Sequence, residues 1–520
     1  VLAGTVAAVG CGGSPPAPGR PPGAFAGAEL AARGHRVRAP LPASASAAEA
    51  PVDVLVVGGG VAGLSALWRL AGAGFRGTVR LLELGDVLGG TSRHGGGAPW
   101  GAHYLVMPSP EARHLRRLLA EIGVITSFDA DGRPRYDPAS ICLAPAERLF
   151  WGGVWSEGLL PPGGGQTQAQ RMAFEAEMAA WRGRIGADGR PAFAIPVHAS
   201  SRDPAVRALC GQSFADWLDR AGFDDPALRW LLRYESRDDH GTELADTSAW
   251  AGLHYHAARR PDPADARDLG TDVLTWPEGN GRLVDALAAR IPWALTTGAV
   301  VRRLAPDDQG VDVAWETDAG TRTCRARHVI AAVPGRVAAR LLDRPIAAPD
   351  FAPWRVAQLA LDGSPRARGV RTAWDSVLFE GRGLGYVSSA HQHATYGGPT
   401  TWTWYDAWSE GDPAEARRRM AESSWEEAAD AVLAELSPAH PGLLGLVRRL
   451  DVLHWGHGTV RPAVGVDPAI FLDAAQPHPR VHLAHTDRSG LSLFEEASWH
   501  GVRAAEAVLA DLSGPGESWL

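Results

Sequence analysis

The sequence predicts an α/β fold: a Rossmann-like parallel sheet whose chain is interrupted by an inserted α+β lobe. Three observations carry the prediction. A continuously aliphatic run, Val54 to Val57, leads into Gly58-Gly59-Gly60-Val61-Ala62-Gly63, and Val79 to Leu82 then ends on Glu83, twenty residues past Gly63. Strand, tight turn, helix, second strand and acidic end form the layout that wraps an adenosine diphosphate moiety. From about 108 to 274, and again from about 346 to 455, that signature vanishes and helical and alternating patterns replace it. A chain of 520 residues, 45% of them hydrophobic, is long enough to fill two or more domain cores.

The first ten residues are small and apolar, and Ala8-Val9-Gly10-Cys11 resembles a bacterial lipoprotein processing box with Cys11 as the lipid-bearing residue. A signal segment opens on a positive stretch, and none is present here. Two readings therefore stand: a truncated export signal at the cell envelope, or a meaningless apolar start on a cytoplasmic protein. Residues 12–50, rich in Pro, Ala, Gly and Ser, read as a tether or irregular lead-in. No later run is long and apolar enough to cross a bilayer.

Within the nucleotide unit each glycine has its own task. Gly58 permits the turn, Gly60 lets a diphosphate approach the backbone, and Gly63 lets the helix pack close to the strand. The helix runs from about Val61 to Ala73, aiming free N–H groups and a positive dipole end at the phosphates. Glu83 is placed to accept hydrogen bonds from the adenosine ribose.

After Glu83 come Gly85-Asp86-Val87-Leu88-Gly89-Gly90-Thr91-Ser92-Arg93 and then Trp100-Gly101-Ala102-His103-Tyr104. A second glycine pair followed by Arg93 suits another close passage of backbone beside a diphosphate, with the guanidinium supplying charge. An NAD domain does not need that loop. On Gly89, Gly90, Arg93, Gly101 and Ala102 the chain resembles the FAD-dependent amine oxidase superfamily, which includes protoporphyrinogen oxidases and phytoene desaturases.

That resemblance implies a GR2-type FAD-binding domain with FAD as the cofactor. It extends to Thr275–Gly281, a helix over about 282–289, and Val300–Leu304, where the superfamily's chain returns to the FAD domain. A valine matching Val301 there contacts the adenine region through its backbone. Val311–Trp315 and His328–Pro334 look like the small inserted sheet and the strand leading back. His482–Asp487 and Glu495–Ala505 resemble the closing motif, in which an acidic residue matching Asp487 binds the ribityl–phosphate part. The helix start near Phe494 to Ala497, with Glu496 and Ala497, would face the flavin O2 edge, where a helix N-terminus stabilises the negative charge of reduced flavin. Glu496 stands where the family usually has a small residue. The implied FAD-binding parts are 51–107, 275–345 and 456–520, and the substrate-lobe parts are 108–274 and 346–455, after a lead-in over 1–50.

In the lobe, Glu111 to Ile122 reads as an amphipathic helix with Leu115, Leu118, Leu119 and Ile122 on one side. Met172 to Arg184 and Ser213 to Ala221 read as helices, the second with Ser213 as its cap. Val356 to Leu361, Gly385 to Ser389 and Thr400 to Tyr405 read as strands.

No Lys occurs, so all 51 basic residues are Arg and no side-chain amine is available as a nucleophile. The amine oxidases that the chain resembles carry a lysine bridged through water to flavin N5, a role that is absent here or filled otherwise. A net charge of −8 gives no reason to expect a nucleic-acid partner. Cys11, Cys142, Cys210 and Cys324 have neither metal-ligand nor redox spacing, so no metal site is expected. Candidate pocket residues are polar or aromatic groups in aromatic surroundings. His103 follows the matched flavin segment, Arg237 and Asp238 lie within Tyr234–Asp239, and Trp402 and Trp404 sit on a strand whose alternation could turn an aromatic toward the flavin. The competing reading is ordinary packing: Arg237–Asp238 as a lobe pair, the tryptophans as core, and His103 bonded to backbone.

The expected activity is oxidation of a small organic molecule, a hydride passing from a C–N or C–C bond to flavin N5 and electrons going on to oxygen or a quinone-like acceptor. Two alternatives differ in class: a desaturase or isomerase acting on an apolar polyene, and a non-catalytic flavin carrier.

Overall fold

A computed structural model describes residues 19–39, 47–265, 269, 271–393 and 398–520. Cys11 and its processing-box resemblance lie outside the described residues. Two large sheets organise the chain into a mixed α/β structure.

The first sheet centres on Val52–Val57, which runs parallel to Val79–Leu82 on one side and to Gly320–Ala331 on the other. Gly320–Ala331 pairs antiparallel with Gly310–Thr317 along its first half and parallel with both Val52–Val57 and Val481–Leu483 along its second. The ribbon of Val300–Asp307 and Gly310–Thr317 is therefore continuous with the parallel strands. One 12-residue strand is long enough to serve both neighbourhoods, the antiparallel ribbon and the parallel sheet, a junction that local alternation cannot reveal.

The helix Val61–Gly72 leaves the first strand and packs on the closing helix Phe494–Ser513. Their approach is close because Gly501 has no side chain: a Cβ there would lie 2.1 Å from the Ala62 carbonyl oxygen. Leu64, Leu67, Val502, Ala505 and Val508 are buried together beside this crossing. The helix Arg113–Glu121 buries Leu115, Leu118 and Leu119 in the same core, as its apolar spacing predicts.

The second sheet orders its strands as Val154–Glu157, Glu147–Trp151, Asp375–Leu378, Tyr386–Ser388, Thr400–Ala407, Phe351–Leu361 and Val447–Val460. Successive side chains of a strand face opposite ways, so each strand serves two cores. Trp402, Trp404, Ala357 and Leu359 pack toward the helix Trp425–Leu436. Tyr405, Val356 and Val387 pack toward Trp100 and Tyr234.

Several elements differ from the sequence reading. The helix expected from Met172 begins at Gly165, because its first turns are tied by Thr167 Oγ1 donating to Asp225 Oδ2 at 2.8 Å and Gln170 Nε2 to Asp224 Oδ1 at 2.5 Å. The polar cluster Tyr234–Asp239 belongs to the helix Pro226–His240, capped by Asp225. The lead-in is also not wholly irregular. Phe25 bridges to Val452, and Ala28–His35 is helical. Among the described residues, no helix is long and apolar enough to cross a membrane.

Replacing Gly501 with leucine forces apart two helices that meet backbone to side-chain-free backbone. A loss of about 1–3 kcal/mol is expected, read as a lower denaturation midpoint; an unchanged midpoint would show that the contact yields freely.

Candidate active site

The site begins at the C-terminal ends of the parallel strands. Gly58 has φ 101°, a conformation that favours glycine, and a Cβ on it would lie 2.4 Å from the Ala332 carbonyl oxygen. A Cβ on Gly63 would lie 2.0 Å from the Gly58 oxygen. Both positions demand glycine for internal reasons. Gly60 is different: a Cβ there would meet nothing nearer than the Gly90 Cα at 3.9 Å. It faces open space at the start of the helix Val61–Gly72. Val61 and Ala62 are buried in the helix's first turn.

The second glycine loop comes up against the first. Gly89 N–H donates to the Gly59 carbonyl at 2.8 Å, and Gly60 and Gly89 form an isolated bridge. Glu83 secures the same corner, its carboxylate accepting the Gly59 N–H and the Gly85 N–H, both at 2.7 Å. Burial raises the Glu83 carboxyl above its ordinary range, opposed by those two amides and by Arg93. Arg93 Nε donates to the Gly90 carbonyl at 3.1 Å, and its guanidinium lies 5.2 Å from the Trp455 ring centroid. Ala299 N–H donates to the Glu83 carbonyl at 2.8 Å, which brings Val301 alongside. Gly58, Gly60, Gly63, Glu83, Gly90, Arg93 and Val301 thus converge on one corner. The free surface at Gly60, the charge of Arg93 and the remaining lone pairs of Glu83 fit the phosphates and ribose of a dinucleotide.

Farther along, a Cβ on Gly101 would lie 2.1 Å from the Thr91 oxygen, and Ala102 N–H donates to that oxygen at 2.9 Å. Asp487 is buried at the end of the strand Val481–Leu483, accepting the Gly335 N–H at 2.6 Å and facing His485 Nδ1 at 3.1 Å. Ala497 lies in the first turn of the closing helix, packed against the main core. Glu496 does not present its carboxylate to a ligand. It accepts the Val197 N–H at 2.7 Å and the Ser489 hydroxyl at 2.5 Å. Its long side chain reaches past the helix start and ties it to the lobe, which leaves the main chain of the first turn as the part expected to face the flavin.

Gly101–Tyr104, the closing helix and the lobe bring aromatic and acidic side chains together in one chamber-like cluster. The His103 ring centroid lies 4.8 Å from Tyr405, 5.5 Å from Trp374 and 5.3 Å from Tyr104. Tyr405 donates to the Gly101 carbonyl at 3.0 Å. His103 Nδ1 lies 3.3 Å from the same oxygen, and burial pushes the imidazole down to about 4, so it is neutral near pH 7. Beyond these rings stand Glu147, Glu235, Asp238, Asp239, Asp375 and Glu495. Arg259 bridges them, donating to Tyr104 Oη at 3.1 Å and Asp239 Oδ1 at 3.3 Å. Tyr234 donates to Asp375 Oδ2 at 3.1 Å.

The electrostatics are unusual for so many acids. Burial, with Asp239 and Glu147 adding repulsion against the pull of Arg259, pushes Asp238 up to about 7. Burial and Glu147 push Glu235 up to about 8, and burial pushes Glu495 up to about 7. Asp238, Glu235, Asp375, His103 and Tyr104 nevertheless keep accessible surface. These groups are thus largely desolvated by protein yet still reachable by water. Among the described residues, no side chain pairs with the Asp238 carboxylate.

Two pocket expectations are corrected. Trp402 and Trp404 face away from Gly101: Trp402 stacks on Tyr386 at 4.0 Å, and Trp404 donates to Glu435 at 3.0 Å. Strand parity puts Thr403 and Tyr405 on the inner face instead. Arg237 also points elsewhere, donating to Ser409 Oγ at 3.2 Å and the Arg382 carbonyl at 2.6 Å. Consecutive helical residues diverge by about 100°, so Arg237 and Asp238 serve different sides. His103 and Asp238 remain. Tyr104, Glu235 and Tyr405 lie in stretches the sequence flags without being singled out there, whereas Trp374, Asp375, Arg259 and Glu495 carry no such signal.

A model of the flavin-containing amine oxidoreductase family matches residues 61–509. The chain belongs to that family. It is an FAD-dependent oxidoreductase of the amine-oxidase type. A comparison with curated proteins finds no match. Among solved structures, the chain resembles putrescine oxidase bound to putrescine, at 17% identity over 89% of this chain and 100% of the other, with a TM-score of 0.62. It also resembles cyclohexylamine oxidase from Brevibacterium oxydans, at 16% identity over 89% and 99%, TM-score 0.60. A fatty acid isomerase from P. acnes follows at 16% identity over 86% and 97%, TM-score 0.57. At these identities the likeness is one of fold.

Glu496→Ala should cost roughly 1–3 kcal/mol by leaving the Val197 N–H and Ser489 without their acceptor, while flavin content at saturating FAD stays near wild type. Denaturation and the visible absorbance of bound flavin check this; loss of flavin with stability intact would put the Glu496 side chain in the cofactor site.

Proposed function

We propose that this family member holds FAD along its two facing glycine loops, on a Rossmann-like domain, and oxidises a cationic amine in the acidic aromatic chamber. The chamber is the observation that carries the substrate reading. Gly60, Val61, Ala62 and Gly63 offer the helix start to the diphosphate, with Gly58 fixing the turn. Gly90 and Arg93 flank the diphosphate from the second loop. Glu83 takes the ribose hydroxyls with the lone pairs its two amides leave free. Val301 serves the adenine through its backbone, Asp487 the ribityl–phosphate part, and Gly101, Ala102 and Ala497 the flavin's surroundings. Bound FAD supplies the hydride acceptor; oxygen or a quinone-like molecule then takes the electrons.

The protein's own part is to attract, orient and deprotonate. Carboxylates around Asp238 draw an ammonium ion inward, and the faces of Trp374 and Tyr405 accept it by cation–π attraction. An amine yields a hydride only with its nitrogen lone pair free, so the ammonium must first lose a proton. Asp238, reachable and without a protein partner, is the acceptor the geometry favours. An apolar polyene fits poorly, because it would leave these carboxyls desolvated with nothing to pair with. No lysine is needed for any of these roles.

Asp238→Asn should lower kcat/KM for a primary amine roughly tenfold or more at about pH 8, the loss typical of a removed general base or its charge. In the wild type, kcat/KM rises between about pH 6 and 8 as carboxyls pushed up to about 7 and about 8 become anions. The variant's profile should be flatter. Equal profiles would remove Asp238 from the mechanism, and reduction of the bound flavin by apolar donors but by no amine would overturn the substrate class. For the cofactor, Gly60→Val should abolish flavin loading and Glu83→Ala should weaken FAD binding in a titration. Wild-type loading in Gly60→Val would contradict the placement of the diphosphate.

A further inference from the structure

We propose that the N-terminal helix Ala28–His35 forms an outer wall of the cofactor site, closing over the adenosine half of bound FAD and slowing its release. The inference rests on the FAD reading above but concerns residues ahead of 61, where the family match begins. Nothing in the sequence pattern of the lead-in announces it.

The segment is a strap fixed at both ends. At the lobe end it lies along the outermost strand of the second sheet. Leu450 N–H donates to the Pro22 carbonyl at 2.9 Å, Val452 N–H to Ala24 at 3.0 Å, and Ala26 N–H to Val452 at 2.7 Å. Arg20 grips both oxygens of Asp430, at 2.7 and 2.6 Å. The fit is tight, since a Cβ on Gly23 would fall 1.6 Å from the Leu450 oxygen. At the nucleotide end, Arg33 Nη1 donates to Asp86 Oδ1 at 2.6 Å and to the Leu84 carbonyl at 3.4 Å. Arg302 Nη2 donates to the Ala39 carbonyl at 2.7 Å. The strap therefore spans from the lobe sheet to the loop after Glu83 and the strand Val300–Asp307.

Between its anchors, the helix meets the site itself. The point a Cβ on Gly85 would occupy lies 3.0 Å from Leu30 Cδ2, 3.1 Å from Glu83 Oε1 and 3.2 Å from Arg93 Nη2. Three groups, one apolar and two charged, thus converge where Gly85 presents no side chain. Glu29, on the same turn, adds negative potential at Arg93. The helix buries none of its own residues fully, and Leu30 is half-buried. An apolar side chain left half-open beside a ribose-binding carboxylate is positioned to be covered by the ligand it covers. A dinucleotide leaving this corner would have to pass Leu30 or displace a strap held by hydrogen bonds to both halves of the molecule.

The test follows FAD release from the full-length holoprotein. After dilution, the rise of free-FAD fluorescence gives the dissociation rate for wild type, Leu30→Ser and Arg33→Gln. Each variant should release FAD roughly tenfold faster, equivalent to a wall worth one order of magnitude in residence time. For Leu30→Ser, the thermal midpoint of the holoprotein should fall while that of the apoprotein stays put, because only ligand linkage is lost. Wild-type release rates in both variants overturn the wall. Arg33→Gln decides alone if Leu30→Ser does not fold. A wild-type protein that takes up no FAD at all instead fails the underlying cofactor reading, and the wall with it.

Discussion

One main-chain hydrogen bond, from the Gly89 N–H to the Gly59 carbonyl, closes the corner on which the rest of the site depends. It brings together two loops that neither helix nor sheet would otherwise align. Glu83 locks the same corner from below with both carboxylate oxygens on backbone amides. A buried carboxylate is costly unless its lone pairs are used, so the acidic end of the second strand acts as a structural clamp in its own right. Glycine is required at Gly58 and Gly63 to let backbone meet backbone. At Gly60 a Cβ would meet nothing nearer than the Gly90 Cα at 3.9 Å, so the backbone there has no such internal need for glycine.

From that corner the chain runs through Gly101 to His103, and there the lobe takes over. The inner face of the second sheet supplies Tyr405, whose hydroxyl holds the Gly101 carbonyl. The helix Pro226–His240 supplies Glu235, Asp238 and Asp239. Crowding several acids beside one arginine raises their affinity for protons and stores an attraction for cations. The chamber's charge is therefore conditional on pH and on what enters it. Such coupled groups titrate as a set rather than one by one.

The two halves are also joined outside the site. The lead-in lies along one sheet and is pinned to the other, so lobe and nucleotide unit share a covalently continuous strap besides their chain crossings. Glu496 makes a second tie, from the closing helix to Val197 in the lobe. Both ties use residues that a pattern search reads as tether or as ligand.

What the sequence determined by itself was local: the glycine turn and its helix, the amphipathic helix carrying Leu115, Leu118 and Leu119, the Ser213 cap, and the family resemblance carried by Gly89, Gly90 and Arg93. These depend on short-range sterics and on period, which survive in a linear text. The tertiary structure alone decided which face of Thr400–Ala407 looks inward, putting Tyr405 rather than Trp402 or Trp404 at the chamber. It alone gathered Glu147, Asp238, Asp375 and Glu495 from four distant elements, and it tied the Glu496 side chain to Val197 and Ser489. Strand parity has two equally regular solutions until a second layer packs against it. A carboxylate's partners are set by who arrives across the fold, and nothing in its own neighbourhood of the chain records that arrival.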